Sequence, residues 1–133
     1  MAYADDWTKD MGNYNVSKRN LDEIVTLCRY IDCSTYNLNS GEYTKIFTLP
    51  AGTVVLEAYT VEVTAEGTDY CDVTINDATT ITLVSNGMTN AVDATNARAY
   101  CASESYVCLK PDAALTAAKF YVIVKCMLLS TSM

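Results

Sequence analysis

The chain has 133 residues, half of them hydrophobic, with a net charge of −7 at neutral pH and no histidine. That length suits one domain, which buries about two-thirds of the surface its unfolded chain exposes. The acidic balance argues against a nucleic-acid partner, because phosphate binding takes clustered cations, and the nine Lys and Arg are scattered, with only Lys18 and Arg19 adjacent.

Met1 to about Asn20 is polar, acidic at its start, and has no sustained period of either kind, so it reads as an arm. Trp7 and Tyr14 stand isolated in it, and an aromatic in such a segment needs something to pack on, most simply a neighbouring subunit. Leu21 to Asp32 has apolar residues at Leu21, Ile24, Val25, Leu27 and Cys28, which is helical spacing. Asn20 with Glu23 three residues on makes a capping box and tips the reading to helix, although the same letters allow a strand from Ile24 to Ile31. Ser34 to Gly41 is rich in turn formers and reads as the loop that closes an arm of residues 1–41.

From Glu42 onward, strand signals recur at short spacing with turn residues between them, which predicts an all-β fold over residues 42–133. Strands are expected at Tyr43–Leu49, Thr53–Thr64, Tyr70–Ile75, Thr80–Ser85, Tyr100–Leu109 and Lys119–Leu129, with turns at Pro50–Gly52, Glu66–Asp69 and Asn76-Asp77. Val54, Leu56 and Ala58 share one face of the second strand, after which Tyr59, Val61 and Val63 carry the other. Such a phase switch predicts a bulge near Glu57-Ala58 or a strand that changes sheets. Residues 87–98 are polar and small, and read as a long loop with one helical turn. The last strand is apolar on both faces, with Phe120, Val122, Val124, Cys126 and Leu128 on one and Tyr121, Ile123, Met127 and Leu129 on the other. Either a neighbouring subunit or the chain's own arm covers its second face, or it is the centre of a thick sandwich.

Chemistry is sought and not found. Without histidine the usual general base and the usual Ser or Cys triads are missing, and no phosphate-binding or dinucleotide glycine loop occurs. The chain is therefore not read as an enzyme, and no cofactor or metal is expected. Asp69, Asp72, Asp77 and Glu104 match neither a paired glycosidase site nor a calcium loop, and are read as solubilising strand ends. Six cysteines invite a disulfide framework, but no secretory signal precedes them, so most are read as small buried hydrophobes in a reducing cytoplasm. Their spacings lack the close pairs of a zinc site. The longest apolar run, Phe120 to Leu129, is about half the ~20 residues of a membrane helix, so no membrane partner is expected. Ten tyrosines against two phenylalanines and one tryptophan favour a contact surface. Tyr100 and Tyr106, placed on one strand face, and Tyr121 are candidates for a glycan-binding strip, set against ordinary cross-strand packing.

Between Ile46 and Lys125 the chain carries Leu49-Pro50-Ala51-Gly52-Thr53-Val54-Val55, then Val73-Thr74-Ile75-Asn76-Asp77. A late Val107-Cys108-Leu109-Lys110-Pro111-Asp112 follows, and a short Ala113–Ala118 connection leads into the last strand. In these features it resembles the small β-sandwich structural proteins of tailed bacteriophages, the capsid decoration or cement proteins and related virion components. Asn76 and Ala118 stand where such sequences often have glycine, and the six cysteines are atypical.

The resemblance implies an antiparallel, jelly-roll-like β-sandwich with an extended N-terminal arm. It also implies a homotrimer, or another symmetric oligomer, on the outside of a virion, bound to the major coat protein. The chain would be made in the bacterial cytoplasm, and its arm would reach across subunits. The interface residues would be Trp7, Tyr14, Leu21, Ile24, Val25, Leu27, Tyr30 and Ile31 on the arm side, with Tyr121, Ile123 and Met127 on the last strand. A carbohydrate-binding or adhesin-like module of a phage fibre or tail is the alternative.

Overall fold

The computed structural model describes residues 22–77, 81–95 and 97–130, together with the backbone of residues 5–6. Ten strands are described: β1 (Asp5–Asp6), β2 (Ile24–Asp32), β3 (Thr44–Leu49), β4 (Thr53–Thr64), β5 (Cys71–Ile75), β6 (Thr82–Gly87), β7 (Val92–Asp93), β8 (Ala99–Cys101), β9 (Ser105–Pro111) and β10 (Lys119–Leu128). They form two sheets: sheet A in the order β1-β3-β9-β5-β6, and sheet B in the order β2-β10-β4-β7 with β8 also on β4. All pairings are antiparallel except the two-residue β1, which lies parallel to β3. This is the all-β fold that the short strands and turn spacing predict, in the sandwich form that the resemblance implies.

The turns follow from local chemistry. Gly52 and Gly67 sit at φ 93° and 61°, a region that costs glycine nothing. Asn76, at φ 60°, takes the same left-handed conformation. Its backbone N–H donates to Tyr106 O at 2.7 Å, and its side-chain oxygen accepts from Tyr106 N at 2.8 Å. The side chain thus continues the β5–β9 ladder by one step, which glycine cannot do.

Two bulges set which residues face inward. Lys125 pairs with Glu57 and Cys126 with Val55, so Leu56 is the extra residue of β4. Val55 and Ala58, three apart, therefore both reach the core, while Val54 faces out opposite Met127. The bulge lies where the phase switch predicts it, but Val55, not Val54 or Leu56, shares the inner face with Ala58. In β3 the extra residue is Ile46, between the Lys45–Cys108 and Phe47–Val107 pairs, and both Ile46 and Phe47 are fully buried.

Four expectations are corrected by the pairing. Leu21–Asp32 is not a helix over its described part: Ile24–Asp32 is a strand paired with β10 residue by residue from Met127 to Lys119. Ridge-like spacing and capping are local signals, and a nine-residue antiparallel pairing outweighs them. The boundary expected at Gly41 falls inside the core, because Ile31, Cys33 and Leu38 are buried among Leu115, Ala118 and Phe120. The single strand expected over Tyr100–Leu109 is two, since the chain bends at residues 102–104, leaves β4 in sheet B and enters sheet A between β3 and β5. Ser105 Oγ, donating to Ser103 O at 2.9 Å, holds that bend. In the loop before it, the described residues form no helical turn: Val92–Asp93 pairs with β4, and the Asp93 carboxylate accepts from the backbone of Thr89 and Asn90.

The core lies between the sheets, and every inward residue of β10 except Leu128 has no exposed surface. The sheets approach closely where β6 ends over β4. A Cβ on Gly87 would lie 2.5 Å from Cys71 O and 2.9 Å from Thr60 Oγ1, so only glycine fits there. One polar side chain crosses the interior: Arg29 is 3% exposed, and its Nη1 donates to Ile46 O at 3.2 Å.

Candidate functional site

Strand alternation puts the odd-numbered residues of β10 on the outer face of sheet B, and the registers line up their neighbours into rows. One row runs Ile24, Met127, Val54, Tyr100; another runs Cys28, Ile123, Tyr59; a third runs Tyr30, Tyr121, Val61, Val92. Between the first two lies Thr26, Lys125, Glu57, and beyond the third lies Asp32, Lys119, Thr64. The apolar members keep large exposures: Ile24 63%, Tyr100 61%, Val92 57%, Tyr30 42% and Tyr121 39%. Scattered exposed apolar residues are normal, but a contiguous sheet face of them marks an interaction surface.

The polar groups within this face are arranged around Glu57. The Tyr59 hydroxyl donates to its carboxylate at 2.6 Å and Lys125 Nζ stands 3.6 Å away. The hydrogen bond from Tyr59 holds the Glu57 carboxyl below its usual range; burial works against this and the Lys125 charge helps it. The same contact raises the Tyr59 phenol. The row therefore carries an anion and a cation side by side. Tyr30 and Tyr121 meet across the strands with ring centroids 5.1 Å apart.

Of the expected interface residues, Ile24, Tyr30, Tyr121, Ile123 and Met127 come together on this face. Leu27 and Ile31 do not: they alternate inward, are buried in the core, and cannot meet a partner. Val25 is half-buried against the same core. Trp7, Tyr14 and Leu21 lie outside the described residues. The face also includes residues not expected there. Val61 and Tyr59 were legible as outward β4 positions, whereas Val92 sits in a stretch that reads as a polar loop and gave no signal.

The tyrosine strip does not form. Tyr100 is on β8 in sheet B and Tyr106 on β9 in sheet A, because the bend between them moves the chain from one sheet to the other. Tyr106 lies under Lys45 Nζ, 3.7 Å from the ring centroid, and donates to Glu104 at 2.9 Å.

Among the described residues no group of three or more His, Cys, Asp or Glu is placed to hold a metal ion. Five of the six cysteines are buried and Cys28 is exposed, and all are free thiols. Burial pushes the Cys33 thiol up to about 12, with Glu66 and Asp32 adding to it, and Cys126 up to about 11, with the neighbouring Cys101 thiol adding to it, so these are inert core residues. No helix in the described residues is long and apolar enough to cross a membrane.

No protein-family model and no curated protein matches the chain. Among solved structures it is similar to a chain of the capsid of Ralstonia phage GP4, with a TM-score of 0.54 and 13% sequence identity over 98% of this chain and 100% of that one. At that identity the likeness is one of fold, and it runs nearly the whole length of both chains.

Proposed function

We propose that the chain is a structural protein of a bacteriophage virion, a decoration protein that binds the coat lattice on the capsid exterior as a homo-oligomer. The observation that carries this reading is the likeness of fold to a phage capsid chain across 98% of one chain and 100% of the other. The outer face of sheet B supports it, because a protein whose task is contact needs an apolar surface left over after its own core is complete. The mechanism is mechanical: added buried area joins neighbouring coat subunits and slows their separation.

Heads of the encoding phage, assembled without this protein, test the reading. Purified full-length protein is added and the particles are sedimented. Saturable co-sedimentation at a fixed ratio to coat protein is expected, and weaker binding once residues 1–20 are removed. Full-length protein that stays in the supernatant at tens of micromolar would overturn the virion reading.

A further inference from the structure

The outer face of sheet B has one charged row, Thr26, Lys125, Glu57, between apolar rows. A foreign apolar surface laid on it would strip solvent from Lys125 and Glu57, which are 44% and 48% exposed, and return nothing to them. A second copy of the same face returns a full set of partners. Consider a two-fold axis parallel to the strands and midway between β10 and β4. It lays β10 of one copy over β4 of the other, so each cross-strand pair is repeated between copies. Lys125 then stands over the second copy's Glu57, Ile123 over its Tyr59 and Tyr121 over its Val61, as the register prescribes. Opposite charges meet and apolar rows meet, which is the self-complementarity that an isologous interface requires.

We infer that this face is a self-docking surface, on which two copies pack sheet B against sheet B about a two-fold axis. Strands about 4.8 Å apart and about 3.3 Å of rise per residue give a face on the order of 500 Å² per copy. Doubled, that reaches the roughly 1,000 Å² a specific interface needs. Aligned sheets pack with their strands about 30° apart, which keeps the central rows in register and fans out the ends. The pairing is a two-fold one in place of the trimer that the family resemblance implies. It assigns the face that supports the virion reading to contact between copies and not to the coat, and its test is separate from that reading's, since two copies can pair whether or not either meets a coat lattice.

The test is the native mass of the full chain in reducing buffer from about 1 to about 100 μM, followed by charge reversal. Wild type is expected to be dimeric at the upper end. K125E and E57K, each checked for an unchanged circular dichroism spectrum, place like charges across the axis and are expected to weaken pairing by about tenfold or more. Mixed together, the two variants should pair with each other, because the acidic row of one meets the basic row of the other. A wild type that stays monomeric to 100 μM overturns the proposal and leaves the face to the chain's own arm or to another protein. A trimer overturns the two-fold axis, and variants that pair as well as wild type, or a mixture that fails to pair when each alone is weakened, overturns this face as the contact.

Discussion

Strands β9 and β10 occupy equivalent places, each flanked on both sides within its sheet and each with its inner residues buried, yet their outer faces are opposite in kind. On β9 the outward residues are covered from within the chain. Lys45 lies over the Tyr106 ring, Lys110 Nζ lies 5.2 Å from the Tyr43 ring, and Cys108, between Tyr106 and Lys110 on the same face of β9, has no exposed surface. On β10 the outward Tyr121 keeps 39% of its surface exposed, and its neighbours Tyr30, Ile24 and Val92 keep more. The outer face of β9 is thus covered, with long polar side chains lying along aromatic rings, whereas the outer face of β10 leaves its apolar residues open. The second arrangement is the one on which the proposed self-docking rests.

The largest expected effect separates the two faces of β10. Phe120→Ala removes a fully buried ring and should cost about 3–5 kcal/mol, while Tyr121→Ala, one residue on and facing out, should cost within about 1 kcal/mol. Urea unfolding midpoints of both, measured at a concentration low enough to keep the chain monomeric, check this; equal losses would mean that the outer face is part of the folding core. Next is Gly87→Ala, whose methyl group meets the Cys71 carbonyl and the Thr60 side chain between the sheets. It should cost about 1–3 kcal/mol, read as a fall in Tm, whereas the same change at Gly67, which has open space but φ 61°, costs only backbone strain.

A third effect concerns Glu66, in the turn that carries the chain from sheet B to sheet A. Its carboxylate accepts from Ala117 N at 2.6 Å, Ala118 N at 2.8 Å and Thr116 N at 2.9 Å. Burial works to raise its pKa, but these backbone donors outweigh it and the pKa is lowered. A carboxyl whose folded pKa lies below its unfolded one stabilises the fold fully above the unfolded value, about 4.3, and loses that contribution as pH falls through the folded value. Glu66→Ala should cost about 1–2 kcal/mol at pH 7, since the exposed Thr116 and Ala117 donors recover water while the N–H of buried Ala118 does not. It should also flatten the decline of stability below about pH 5, seen in thermal melts from pH 7 to pH 3. The smallest effect is on sheet A's cover: Lys45→Ala should lose about 0.5–1 kcal/mol through the Tyr106 ring and leave the native mass unchanged. A change in oligomeric state from this substitution would break the distinction between the two faces.

Local residue pattern was enough to specify the strand class, the turns at Gly52, Gly67 and Asn76, the limits of β4 and, within a residue, of β3, β5 and β10. It also determined the bulge in β4 and the inner face of β10. These depend on period-2 alternation and on conformations of single residues, which are local. It also named five members of the outer face, because Tyr121, Ile123 and Met127 alternate with core residues, and Ile24 and Tyr30 are apolar letters in a segment of open type. That Ile24–Asp32 is a strand depends on its partner, since the helix signal there loses to the hydrogen bonds of a neighbouring β10, 87 or more residues away in sequence. Only the tertiary structure separated Tyr100 from Tyr106, brought Val92 beside Val61, and turned Leu27 and Ile31 inward. Each of these depends on which strand lies next to which, and the alternation of a strand says which side of it is apolar without saying what faces that side.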